Sequence, residues 1–138
     1  MHHTLYSTGV LLHMRYVLDA AAIINSSFAD FEGELYIPNS VVSEIRDFTS
    51  RQQLTALSVK GRLHFKDPSP ETIRDVKRRL GKQRIRKLSS ADLDVIALAF
   101  ELSKTGQVGV LTDDYALQGA LSLLNISFEP VAHPGARL

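Results

Sequence analysis

The sequence predicts an α/β protein, a three-layer α/β/α sandwich built on a short, mainly parallel central sheet. Three observations predict it. The apolar runs are brief, as in Tyr16-Val17-Leu18 and Val108-Gly109-Val110-Leu111. They do not alternate with polar residues, so both faces of each strand are buried, as in parallel sheets. Between them lie stretches of helical periodicity, and parallel strands need such crossovers.

The elements follow in order. Arg15 to Asp19 predicts the first strand, and Ala20 to Ser27 a helix leaving it. Gly33 to Tyr36 predicts a turn with a little extended chain. Ile37-Pro38 opens a helix that runs to about Phe48, since proline suits the first helical position, where its missing N–H is not needed. Val41, Val42, Ile45 and Phe48 form its inward stripe. Gln52 to Val59 is a further helix, ended by Gly61. Leu63 to Lys66 is a short strand, and Ser69 to Leu80 an amphipathic helix with Ile73, Val76 and Leu80 inward. Gly81 to Leu88 is a basic loop. Ser89 to Lys104 has the clearest helical pattern, and Gly106 ends it. Val108 to Thr112 is a strand, Tyr115 to Leu124 a helix and Ile126 to Val131 the last strand. Residues 15–131 therefore make one domain, preceded by an extension over 1–14 and followed by a tail over 132–138. Met14 stands just before the first strand as an alternative start.

Composition narrows the chemistry. At 44% apolar residues, 138 residues bury an ordinary core. The absence of cysteine excludes disulfides, thiol catalysis and cysteine-ligated zinc, and fits a reducing, cytoplasmic setting. No apolar stretch approaches the roughly 18 residues that span a bilayer. The five histidines show no metal-ligand spacing, and there is no glycine-rich phosphate loop and no serine-nucleophile elbow. Net charge is only +1, yet eleven of the sixteen Lys/Arg lie between Lys60 and Lys87, with three acids among them. Lys77, Arg78, Arg79, Lys82, Arg84, Arg86 and Lys87 form the densest part and are candidates for contacts to a phosphate backbone. A solvated helix face explains the same cluster.

The carboxylates carry the most information. Asp19 ends the first strand; Asp113 and Asp114 end a later one. The edge where parallel strands end and helices begin is where α/β proteins bind ligands. Each acid has an ordinary structural role as well. Asp19 can cap the next helix. Glu44 lies beside the apolar stripe of its own helix. Asp92 falls on the apolar side of the Ala91–Leu102 wheel, where an ionised carboxylate must be paired or hold a metal; Asp94 lies in the polar sector. Ser89 and Asp92 also have the spacing of a capping box. Of the adjacent pair, one acid faces the site and the other holds the turn, with Asp114 favoured as the ligand and Asp113 beside it. In combination, the acids suit a hard divalent cation, which selects oxygen ligands.

The order of these motifs resembles the PIN-domain ribonucleases. The matching stretches are Tyr16-Val17-Leu18-Asp19, Val41-Val42-Ser43-Glu44-Ile45, Leu88 to Ala99 and Leu111-Thr112-Asp113-Asp114-Tyr115-Ala116-Leu117-Gln118. The resemblance covers residues 15–131. It implies a metal-dependent endoribonuclease for single-stranded RNA. Asp19, Glu44, Asp92 and Asp114 would be its catalytic acids and, with Asp113, its ligands for Mg²⁺ or Mn²⁺. Ser89, Asp94 and Thr112 would support them. Asp19-Ala20-Ala21-Ala22-Ile23 and Pro68-Ser69-Pro70-Glu71 are most similar to the archaeal ribosome-biogenesis endonuclease, which implies a small-subunit rRNA precursor as substrate. That branch carries a cysteine-rich zinc ribbon after this domain, and these 138 residues contain no cysteine. Toxin ribonucleases of the VapC type share the pattern and would bring an antitoxin partner. A non-catalytic RNA-binding scaffold and, last, a receiver-like phospho-acceptor domain are the other readings. Self-association into a homodimer stays open.

Overall fold

The computed structural model describes residues 14–25 and 33–131. The predicted extension before Met14, the end of the first helix and the 132–138 tail lie outside the described residues.

Five parallel strands form one sheet in the order β3-β2-β1-β4-β5: β1 Arg15–Leu18, β2 Glu34–Ile37, β3 Leu63–Phe65, β4 Val108–Leu111 and β5 Ser127–Glu129. Their shortness, and the burial that is complete in β4 and nearly so in β1, agree with the α/β/α expectation; the edge strands β3 and β5 are partly exposed. The register sets Leu18 of β1 opposite Leu111 of β4, and Val17 opposite Tyr36 of β2. From β1 the chain builds outward through β2 and β3, then returns to β1's other side for β4 and β5. The switch point lies between β1 and β4. Chains leaving those two strands diverge, opening a crevice at their carboxyl ends. Asp19 and Thr112 are the first residues past the strands there.

Seven helices are described: α1 Ala20–Asn25, α2 Asn39–Glu44, α3 Phe48–Val59, α4 Pro70–Leu80, α5 Lys82–Ile85, α6 Ser90–Ser103 and α7 Tyr115–Leu123. Helix α6 packs on β1 and β4 and also meets α2, α4 and α7. A helix touched from so many directions must be apolar nearly all round. Accordingly Ala91, Leu93, Val95, Ile96, Ala97, Leu98, Ala99 and Leu102 are all buried, and its alanines allow neighbours to approach closely. The Arg15 side chain clamps the carboxyl end of α6 to β1, donating to Leu102 O at 2.7 Å and Thr105 Oγ1 at 3.2 Å. At α6's other flank, Glu101 Oε1 accepts from Ser69 N (3.0 Å) and Thr72 Oγ1 (2.9 Å), fixing the start of α4. Gly33 has φ +103°, and a Cβ there would lie 2.1 Å from Met14 O, so only glycine lets β2 start beside β1.

Several boundaries differ from expectation. The helix expected over 38–48 ends at Glu44: Pro38 is its N-cap rather than its first residue, and Ile45 is extended (φ −91°, ψ 109°). Asp47 then caps α3 by accepting from Ser50 N, so α3 begins four residues before the expected Gln52. The kink turns Phe48 outward, leaving it 74% exposed, while Val41 and Ile45 are buried. The stretch from Gly33 is a full strand through Ile37, because β1 and β3 pair with both its edges. The basic loop contains a short helix, α5, set off from α4 by Gly81 at φ +83°.

Candidate active site

Asp19, the first residue past β1, is only 8% exposed. Its Oδ1 accepts the Ala22 N–H at 2.9 Å, capping α1. Across the β1–β4 pair, the fully buried Thr112 hydroxyl accepts the Asp114 N–H at 3.0 Å and hydrogen-bonds the Asp19 carboxylate. With its oxygen occupied by an N–H, that hydroxyl has its proton available for Asp19. Gln118 Nε2 donates to Thr112 O at 3.0 Å and holds the same turn from α7.

Burial pushes the Asp19 carboxyl above its ordinary range. The bonds from Thr112 and Ala22 pull it down, and the charges of Asp92 and Asp114 push it up again. The charges of Asp92, at the start of α6, and Asp114, at the start of α7, thus both act on Asp19 at the end of β1. Each is held by the backbone through one oxygen. Asp92 Oδ2 accepts Ser89 N at 2.9 Å while Ser89 Oγ accepts Asp92 N at 3.0 Å, completing the capping box. Asp114 Oδ1 accepts Ala116 N (2.8 Å) and Leu117 N (3.1 Å), capping α7. The second oxygens of Asp92 and Asp114 accept no hydrogen bond from another described residue.

Asp113 is turned the other way. Its Oδ1 accepts Val131 N at 2.8 Å, tying the turn to the end of β5. Asp94 accepts the Ser40 hydroxyl at 2.6 Å and so ties α6 to α2. Ser40 and Glu44 are one turn apart on one face of α2, so that bond sets the face on which exposed Glu44 stands. The charges felt at Asp19 are those of Asp92 and Asp114, not Glu44.

Among the described residues, no three acidic or imidazole side chains form a ready-made metal cage. The donor set nonetheless fits Mg²⁺-like ions, which keep several waters and bind through one or two carboxylates plus substrate phosphate. A buried carboxylate made harder to ionise by two neighbouring anions is what a bound cation relieves.

The basic residues divide into three groups. On α4, Arg78 and Arg79 both bind Asp75, at 2.6 and 3.1 Å, and Arg79 also lies over the Phe100 ring at 5.2 Å. The hydrogen bond from Arg79 and the charges of both arginines hold the Asp75 carboxyl below its usual range. Lys77, Lys82 and Arg86 are exposed. Arg84 and Lys87, also exposed, line a groove of about 520 Å³ with Gln83, Tyr115 and Ala116, the last of which donates its N–H to Asp114. Tyr115, the first residue of α7 after the Asp114 cap, is 86% exposed and is not among the site residues that the sequence predicts. Gln118 and Ser40 were also missed; neither spacing nor polarity distinguishes them from surface residues.

With this geometry in place, family comparison decides the class. Residues 16–102 match the model of the PIN domain of ribonuclease. The chain belongs to the PIN-domain ribonucleases. Among its relatives, the Endoribonuclease Nob1 of Methanothermobacter thermautotrophicus is 38% identical over 92% of this PIN domain's chain and 74% of its own. The Endoribonuclease Nob1 of Pyrococcus abyssi is 38% identical over 86% of this chain and 70% of its own. The Ribonuclease VapC3 of Aeropyrum pernix is 40% identical over 87% of this chain and 88% of its own. PIN ribonucleases act on RNA with divalent metal ions. No helix among this PIN domain's described residues is long and apolar enough to cross a membrane.

Proposed function

We propose that the chain is a single-strand-specific, metal-dependent endoribonuclease that acts on a precursor of small-subunit ribosomal RNA, with Mg²⁺ or Mn²⁺ bound at Asp19, Asp92 and Asp114. The observation that carries this reading is the buried Asp19, whose carboxyl is raised by burial and by the nearby charges of Asp92 and Asp114. A divalent ion there supplies an activated water and stabilises the leaving oxygen. The chain's own residues do the positioning. Thr112 orients the Asp19 carboxylate, and the α6 and α7 caps aim one oxygen each of Asp92 and Asp114 away from the backbone. Glu44, on the α2 face held by the Ser40–Asp94 bond, is the fourth acid of the proposed set. Asp113 is given a role in the turn, not in the ion site. The similarity to two Nob1 endoribonucleases supports the rRNA precursor as substrate. Residues 15–131 would be the functional unit, working in the cytoplasm.

The test incubates a small-subunit rRNA precursor fragment with wild type and Asp19→Asn, in Mn²⁺ and in EDTA. Cleavage is expected only for wild type with metal. Equal cutting by both proteins removes the proposed site.

One observation favours the toxin reading. The VapC3 relative is matched over 88% of its own length. A partner antitoxin or a second copy has a groove of about 300 Å³ available between α2, α3 and β3, lined by Val42, Leu54, Val59 and Phe65 among others. A small protein that co-purifies and blocks cleavage would move the assignment there.

A further inference from the structure

We propose that the groove between α5 and the start of α7 is a nucleotide subsite for single-stranded RNA, in which Tyr115 stacks on a base and Arg84 and Lys87 hold the adjoining phosphates. This rests on the ribonuclease reading and adds where the strand lies. The groove, about 520 Å³, is within the size range of small-molecule sites. One wall is continuous with the acid site: Ala116, which lines it, donates its N–H to Asp114 Oδ1 at 2.8 Å.

Two observations set these residues apart from an ordinary solvated surface. The Arg84 and Lys87 side chains form no ion pair with any described carboxylate, whereas Arg78 and Arg79 on α4 share the single charge of Asp75. The Arg84 Nη1 also lies 2.9 Å from where a Cβ on Gly119 would stand, so the missing side chain leaves room for the guanidinium against α7. Gly119 is four residues after Tyr115 and shares its helix face. The exposed ring and the guanidinium therefore flank one another about one turn apart, roughly 5.4 Å along the axis. An exposed ring beside unpaired cations, next to the cutting acids, is the pattern of single-strand recognition, where stacking tolerates any base and cations follow the backbone.

The chain has no tryptophan, so Tyr115→Trp supplies a single fluorophore at an exposed position. In EDTA, to keep the RNA intact, a short single-stranded oligoribonucleotide should quench its emission saturably. Inorganic polyphosphate should bind without quenching. Tyr115→Ala should weaken RNA binding about 5- to 100-fold and Tyr115→Phe should retain it. Removing Arg84 and Lys87 together should flatten the salt dependence of log K by about 1.4, at roughly 0.7 per phosphate on single strands. Unchanged emission, or equal quenching by polyphosphate, overturns the subsite. The two readings fail separately. Asp19-dependent cleavage by a Tyr115→Ala protein of wild-type RNA affinity would sink the subsite and leave the nuclease. Quenching by RNA together with cleavage that survives Asp19→Asn would keep the subsite and remove the proposed acid site.

Discussion

Thr112 and Asp114 are joined by a 3.0 Å hydrogen bond from the Asp114 N–H to the Thr112 hydroxyl, and the consequences reach both neighbouring elements. The bond folds the turn after β4 so that Asp114 caps α7, and it leaves the hydroxyl proton for Asp19 at the end of β1. Thr112→Val removes a fully buried hydroxyl and strands the Asp114 N–H. A loss of about 1–3 kcal/mol in urea unfolding is expected, with cleavage falling more steeply than stability. Undiminished cleavage would show that Thr112 does not position Asp19.

Ionised Asp19 is a cost to the metal-free fold, since burial and two like charges oppose its ionisation. Asp19→Asn keeps an oxygen for the Ala22 N–H and removes the charge. In EDTA the variant should melt a few degrees above wild type, the equivalent of about 1 kcal/mol. Added Mn²⁺ should raise the wild-type Tm and leave the variant's unchanged. Equal responses to Mn²⁺ would place the ion elsewhere.

Glu101 behaves in the opposite sense. Burial pushes its carboxyl up, but the Ser69 N–H, the Thr72 and Ser69 hydroxyls and the charge of Lys66 outweigh this and hold it below 4.5. A lowered folded value means that the ionised form contributes stability above the unfolded value, and that this is lost as pH falls through the folded one. Glu101→Gln should therefore cost a few tenths to about 1 kcal/mol at neutral pH, because solvent screens part of the charge. The gap between variant and wild type in denaturant titrations should close below pH 4.5. A gap independent of pH would assign the effect to shape rather than charge.

Gly119→Ala separates stability from binding. Alanine should stabilise α7 by roughly 0.5–1 kcal/mol. Its methyl displaces the Arg84 guanidinium, a flexible end that yields without disturbing the fold. A higher Tm with weaker RNA binding is expected. Unchanged affinity in an anisotropy titration would mean that Arg84 needs no seat on α7.

Ser40→Ala removes the 2.6 Å bond that ties α2 to Asp94. It should lower kcat while leaving RNA affinity near wild type, because it loosens the face carrying Glu44 and not the groove. A change in affinity alone would detach Glu44 from the chemistry.

The sequence by itself determined the element order, the parallel sheet and the strand-end placement of Asp19 and the Asp113-Asp114 pair. These depend on local periodicity and on the rule that apolar, non-alternating strands must be covered on both faces. It also carried the Ser89–Asp92 capping box, whose partners are three residues apart. What it left open lies in contacts between residues remote along the chain. Asp113 was separated from Asp114 only when β5 brought Val131 N, 18 residues on, to its carboxylate. Asp94 acquired a partner 54 residues away on α2. The break at Ile45, which turns Phe48 outward, follows from where α2 and α3 must dock and not from their own periodicity. The charges from Lys77 to Lys87 read as one block in sequence; packing split them, because Asp75 lies within reach of Arg78 and Arg79 while Arg84 lies over Gly119 on α7. Periodicity reports which side of an element is buried, and only tertiary packing decides what each exposed charge faces.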